Sequence, residues 1–242
     1  MAVTNDYFVG MFFNFFLPTG VGGDIMRGYY LTNYGITAKE SAAAIVYERI
    51  LGLISTIFLP LFGLFFFEID TEIIYAYLLF TGFCATIFYL IFSGKLNAII
   101  HWIQKMYAPK WVAALSEIVL NIKNYGNNSQ SKSNNIQLLL LSLFYQFTGV
   151  YSTYLIGAAL GDNIGFWLYL FYVPLVWIIS MLPISFGGIG IREGAFIFFF
   201  TGIGMPHSTA VAVSLIYLLL MIVQGLAGAV IYIFRKSKPA LE

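Results

Sequence analysis

Two stretches of this chain place an arginine behind a proline and a glycine pair. Leu17–Gly28 reads Leu-Pro-Thr-Gly-Val-Gly-Gly-Asp-Ile-Met-Arg-Gly, and Leu182–Gly194 reads Leu-Pro-Ile-Ser-Phe-Gly-Gly-Ile-Gly-Ile-Arg-Glu-Gly. In both, glycines follow proline (Pro18, Pro183) at +4 and +5, as Gly22-Gly23 and Gly187-Gly188, and arginine follows at +9, as Arg27 and Arg192. A guanidinium is a permanent cation with a planar donor fork that matches phosphate or carboxylate. A glycine-rich turn, extended in the second stretch by Gly190, leaves backbone N–H groups free. A helix starting just after such a turn points its positive end at it. All of these features favour an anion. Asp24 and Glu193 stand where they can orient the arginines, although adjacent residues such as Arg192 and Glu193 do not face each other on a helix. Glu48-Arg49 adds a charged pair inside a later apolar run.

Charge is expensive in such surroundings. The chain has 242 residues, 60% of them hydrophobic and 10% charged, with mean hydropathy +0.85. A soluble domain carries about 25% charge, so the composition is that of a polytopic membrane protein. A net charge of +1 gives no electrostatic reason to expect a nucleic-acid partner. Cys84 is the single cysteine, and His101 and His207 are far apart, which excludes an internal disulfide and supports no metal site. No cleavable signal peptide is evident, because no basic region precedes the first apolar run.

Tyr7–Leu17 is apolar but about half the length of a membrane span. It reads as a half-helix stopped by Pro18, with Asp24–Asn33 as the return half of a re-entrant hairpin. Non-helical backbone at membrane depth must be buried in protein or line a wet cavity. Thr37 and Glu40 form a capping-box pattern ahead of a span over Ser41–Phe67, with Pro60 as a kink site. Ile73–Phe92 spans back after an acidic turn. Lys95–Tyr107 and a segment from Pro109 to Tyr125 have the periodicity of interfacial amphipathic helices. Gly126–Asn135 is a polar linker, Ile136–Leu160 spans, and Ile164–Leu182, interrupted by Pro174, leads into the second motif. Ala195–Ile203 is too short to span and is the second return half, and Thr209–Phe234 is the last span. The expected fold is thus all-α, with about five full spans and two re-entrant half-helix hairpins in one transmembrane domain.

Lys39, Lys95, Lys105, Lys110, Lys123, Lys132, Arg235, Lys236 and Lys238 collect on one side, and Glu68, Asp70, Glu72 and Asp162 on the other. The basic loops and the C-terminus are therefore expected in the cytoplasm, with the chain in the cytoplasmic membrane. Three spans separate the hairpins, so they enter from opposite sides. Gly35-Ile36-Thr37 and Gly204-Met205-Pro206 each precede a long span. This is an inverted repeat, about 7–92 and 136–234 around an interfacial segment over 95–135. Secondary transporters place their binding site where such broken helices meet.

Blander roles compete with this reading. Glu48-Arg49 also fits a structural ion pair, Arg27 a snorkelling cation, and each single glycine a packing contact. Gln224 is expected to hydrogen-bond between helices, and the many Phe and Tyr to face lipid or the interface.

Asn14-Phe15-Phe16-Leu17-Pro18 with Gly23-Asp24 and Arg27, then Glu48-Arg49 with Gly52, then Pro183 with Gly187-Gly188-Ile189-Gly190 and Arg192-Glu193, resemble the lysylphosphatidylglycerol synthase transmembrane family. That flippase-like membrane region also occurs in multipeptide-resistance factors and some archaeal glycosyltransferases. Members usually carry about two more helices before the first motif, and no soluble transferase domain accompanies the motifs here. The resemblance implies lipid translocation, or support of a partner enzyme, rather than lysyl transfer.

The leading expectation is a non-enzymatic flippase-like transporter of a phospholipid, aminoacyl-phospholipid or polyprenyl-phosphate-linked lipid, with neither cofactor nor metal. Its partners would be a membrane lipid with an anionic or aminoacylated head group, a second copy of the chain, or a lipid-modifying enzyme or glycosyltransferase. The alternatives are a lipid-phosphate phosphatase, for which Ser185 is the only nucleophile in the second tip, a small-anion or proton-coupled transporter, and an accessory subunit of a glycosyltransferase.

Overall fold

The computed structural model describes residues 2–14, 21–66, 70–93, 131–181 and 188–234, with residues 95, 119 and 122 described singly. The motif cores over 15–20 and 182–187, nearly all of the expected interfacial segment and the basic C-terminus lie outside the described residues. Among the described residues the chain forms eight helices and no strand. They are α1 (Ala2–Phe13), α2 (Val21–Thr32), α3 (Ala38–Gly63), α4 (Thr71–Ser93), α5 (Ser131–Ala159), α6 (Phe166–Ser180), α7 (Ile191–Gly202) and α8 (His207–Phe234).

Four of these, α3, α4, α5 and α8, are long and apolar enough to cross a membrane. The expectation of about five full spans is corrected by α6. It has 15 residues, and at about 1.5 Å per residue it falls short of the roughly 30 Å hydrocarbon layer. Its role is internal: every residue from Tyr169 to Val176 is buried. A helix that is apolar all round is what the centre of such a bundle requires. Val150 of α5, Phe200 of α7 and Val213 of α8 close around it.

Local signals set most boundaries. Thr37 caps α3 as its spacing predicts: its hydroxyl accepts from the Glu40 backbone N–H (3.3 Å), and the Glu40 carboxylate accepts from the Thr37 backbone N–H (3.1 Å). The helix then runs through Pro60 and ends at Gly63, short of the expected Phe67. Helix α5 starts at Ser131, inside the stretch read as linker, so Ser131–Asn135 form its polar first turn. Helices α1, α2 and α7 have 12 residues each. The turns ahead of α3 and α8 are alike. Gly35 (φ 81°) and Gly204 (φ 98°) adopt the left-handed conformation, and their N–H groups donate to the carbonyls of Thr32 (3.0 Å) and Thr201 (3.1 Å). A Cβ would strain this backbone.

Helix α1 packs on α8 and α2; α2 on α3; α3 on α5 and α6; α6 on α5 and α7; and α8 on α7 and α5. Tyr34 donates from its hydroxyl to Asp6 (3.1 Å), tying α1 to the turn after α2. Helix α4 meets α3 through Tyr77, whose hydroxyl donates to the Ile57 carbonyl, and through Phe88 and Ile91. Elsewhere on it Leu79 and Phe83 are exposed, as are Leu141 and Phe144 of α5. Exposed apolar surface on this scale belongs in lipid.

A small residue sets the crossing of α1 and α8. A Cβ on Gly228 of α8 would collide with the carbonyl of Phe8 on α1, whereas one on Gly82 of α4 would meet nothing within 4 Å. Gly228→Val should therefore lower the thermal unfolding midpoint of the detergent-solubilised protein, by the equivalent of about 1–3 kcal/mol of overpacking. Gly82→Ala should leave the midpoint unchanged or raise it, since alanine is favoured over glycine by about 1 kcal/mol in a helix.

Candidate functional site

A cavity of about 320 Å³ lies where the short helices meet the long ones. Each wall is one helical face. Helix α1 contributes Tyr7, Gly10, Met11 and Asn14, a run at i, i+3, i+4 and i+7. Asp24 and Arg27 come from α2. Trp177 and Ser180 of α6, with Met181 after it, form the third wall, and Gly188 and Arg192 the fourth. Tyr217, Met221 and Gln224 of α8 again follow helical spacing, and Tyr145 of α5 completes the lining. The arginines of the two motifs thus share one cavity.

Arg192 is the more deeply placed, at 5% exposure. Its Nη2 and Nε donate to Oε1 of Glu193, at 2.8 and 3.2 Å, and Nη1 lies 2.7 Å from the Met221 sulfur. Its guanidinium carbon is 5.6 Å from the centre of the Tyr217 ring. Oε2 of Glu193 accepts the backbone N–H of Gly190, so the same carboxylate anchors the start of α7 and the arginine. Adjacency proves no obstacle to this pair. In the first turn the long arginine side chain folds back, where a rigid mid-helix geometry would keep neighbours apart. Gly190 makes the turn possible with φ 87°.

Arg27 is held from another helix. It pairs with Glu48 of α3, lies 3.9 Å from Asp24, and sits 4.7 Å from the centre of the Tyr7 ring. Asp24 also pairs with Arg49. Glu48 and Arg49 both reach from α3 to α2, and both are half exposed. The four charges run from the cavity wall outward between those helices.

The remaining expected site residues divide. Gly188 lines the cavity. Gly22 and Gly23 are buried but not among its lining residues; Gly23 donates its N–H to Oδ1 of Asn14 (2.7 Å). A Cβ there would collide with the Gly10 carbonyl and with Asn14, which makes the position a packing contact between α1 and α2. Glu48, Arg49, Gly190 and Glu193 support the lining from behind. Pro18, Pro183 and Gly187 lie outside the described residues. Among the described residues no group of three or more His, Cys, Asp or Glu side chains gathers to hold a metal.

Sequence reasoning missed the aromatic lining. Tyr7, Tyr145 and Tyr217 were expected in lipid or at the interface, but they and Trp177 line the cavity where the short helices meet the long ones. The i, i+4, i+7 run of Tyr217, Met221 and Gln224 on an otherwise aliphatic helix was the available signal. Gln224, expected in an interhelical hydrogen bond, lines the cavity instead.

Helices of spanning length, an internal apolar helix and a charged cavity walled by short helices define a multi-pass integral membrane protein. The chain belongs to the lysylphosphatidylglycerol synthase transmembrane-region family, whose model matches residues 2–228. Neither the curated proteins nor the solved structures contain a significant match.

The charge network makes a graded prediction. Asp24 is 17% exposed at its side chain and serves two arginines, whereas Glu48 is 50% exposed. Asp24→Asn should lower stability by about 1–3 kcal/mol, and Glu48→Gln by less than about 1 kcal/mol. Thermal unfolding of the purified variants in detergent checks the order.

Proposed function

We propose that the protein moves a lipid across the membrane, with the head group passing through the cavity between the two glycine-rich tips. The observation that carries this reading is that Arg27 and Arg192, from opposite ends of the chain, line one cavity. A cavity of this size that holds two arginines among apolar and aromatic side chains suits a ligand with one charged end and apolar tails. Membership in a family named for a phospholipid synthase's membrane region supports a lipid ligand. Arg192 is the phosphate anchor, and the group around Arg27 forms the opposite wall.

The helix contacts support an inverted repeat. Exchanging α1 with α6, α2 with α7 and α3 with α8 turns the α1–α8 contact into α6–α3, α1–α2 into α6–α7, and α2–α3 into α7–α8. Each product is itself a packed pair. The matched turns at Gly35 and Gly204 follow the same exchange. On this reading α1–α2 and α6–α7 are re-entrant hairpins entering from opposite faces of the cytoplasmic membrane, with the basic loops inside. The activity is transport rather than catalysis. The sequence carries no Gly-x-x-x-x-Gly-Lys-Ser/Thr loop, so movement is passive or follows a gradient. A second copy of the chain, or a lipid-modifying enzyme or glycosyltransferase, is the partner this role calls for.

Reconstituted vesicles carrying fluorescent lipid test the proposal. The purified chain should accelerate the loss of inner-leaflet protection against a membrane-impermeant quencher added outside, and Arg192→Ala should abolish that acceleration. Unchanged flipping by the variant would refute the site.

A further inference from the structure

We infer that one water molecule is bound behind Arg192, held by the hydroxyls of Thr153 and Ser214, and that it solvates the guanidinium on the side away from the large cavity. This site stands whether or not the large cavity carries a lipid.

A second, much smaller cavity lies where α5, α6, α7 and α8 meet. Thr153 of α5, Phe196 of α7 and Ser214 of α8 line it and do not line the large cavity. Trp177, Arg192 and Tyr217 line both, and so form the partition between them. The volume is about 10 Å³, about the room that one water molecule needs. Nothing larger fits.

A void that stays dry is lined by apolar groups. This one encloses two hydroxyls and a cation. Thr153 and Ser214 are 2% exposed, and Arg192 is 5% exposed. The hydroxyl hydrogens are already engaged: Thr153 donates to the Gly149 carbonyl (2.9 Å), and Ser214 to the Val211 carbonyl (2.8 Å). Each oxygen keeps its acceptor side, and among the described residues no donor reaches it. A buried acceptor left unmet carries a desolvation cost.

These charges select the occupant. The hydroxyl lone pairs repel an anion, and Arg192 repels a cation. A water molecule suits both: its two hydrogens serve Thr153 and Ser214, and its oxygen faces the guanidinium. The same molecule then joins α5 to α8 beside the arginine of α7.

The first half of the chain lacks the means to build this site. Ser214 stands ten residues beyond the turn glycine Gly204, and the residue ten beyond Gly35 is Ile45. An isoleucine offers no acceptor. Arg27 is surrounded instead by Asp24, Glu48 and the Tyr7 ring. Matched arginines are thus accommodated by carboxylates from a neighbouring helix and its own in one half, and by one carboxylate and a water in the other.

Two neighbouring rings provide the test. Phe196 and Phe200 stack 4.1 Å apart. Both are buried, but Phe196 borders the small cavity and Phe200 does not. X-ray radiolysis of the purified full chain in detergent turns a bound water into a hydroxyl radical that oxidises the side chains beside it, and tandem mass spectrometry reads the product residue by residue. Phe196 should oxidise several-fold faster than Phe200. Thr153→Val should bring Phe196 down to the Phe200 rate, and Thr153→Ser should keep it high. Thr153→Val should also lower the thermal midpoint by about 2–4 °C more than Thr148→Val does. Thr148 is the matched control, because it makes the same bond to the carbonyl four residues back (2.8 Å) at an exposed position of α5. Equal oxidation of Phe196 and Phe200 in the unaltered protein overturns the inference, and that comparison needs no variant to fold. Oxidation of Phe196 that persists in Thr153→Val, or is lost in Thr153→Ser, overturns the role of the Thr153 hydroxyl. A midpoint for Thr153→Val that matches or exceeds that of Thr148→Val marks a dry void and overturns the site.

Discussion

Everything in this protein depends on keeping guanidinium groups inside an apolar bundle. A charge taken from water into such surroundings is tolerated only when it is paired and hydrogen-bonded. Arg192 meets that condition with the residue next to it, and Glu193 meets its own with Arg192 and with the N–H of Gly190, just ahead of α7. Because the pair is local, it forms wherever α7 starts, and the start is fixed by Gly190. The helix, its cap and its charge are one arrangement.

Arg27 solves the same problem differently. Its partner comes from α3, so the pair exists only when α2 and α3 are docked. Docking in turn needs the hairpin turn at Gly35, the Ser41 hydroxyl donating to the Gly28 carbonyl (3.1 Å), and the close packing of α1 on α2 at Gly23. The two arginines are matched in sequence yet differ in their attachment. One is held by its own helix, the other by its neighbour. A cavity between them has one fixed wall and one wall whose charges bridge two helices.

The short helices are what make a cavity possible. Long helices packed side by side fill their interior with side chains. Where α1, α2 and α7 end part-way, an inner surface is left, and the residues that face it are tyrosines, a tryptophan, amides and arginines. Helix α6 supports this from behind, buried along its middle, while α4 and α5 present apolar faces outward.

How much of this was legible depends on the range of the interactions. Hydropathy marked the long helices, because burial in lipid is a property of a run of residues. The Thr37–Glu40 cap was readable, because it involves one turn. The repeated Pro, Gly-Gly and Arg spacing identified both arginines and the matched glycines at 35 and 204. The length of α6 and the start of α5 were not readable, because apolar and polar runs do not say where packing stops. Nor could sequence tell that Tyr7 lies against Arg27 and Tyr217 against Arg192, or that Glu48 and Arg49 reach to α2. Those contacts join residues far apart in the chain. Helix crossings set them, and the crossings are set by where a glycine such as Gly228 lets two backbones touch. The sequence determined which residues could hold an anion; the tertiary structure decided which of them face one another, because only packing fixes the distance between helices.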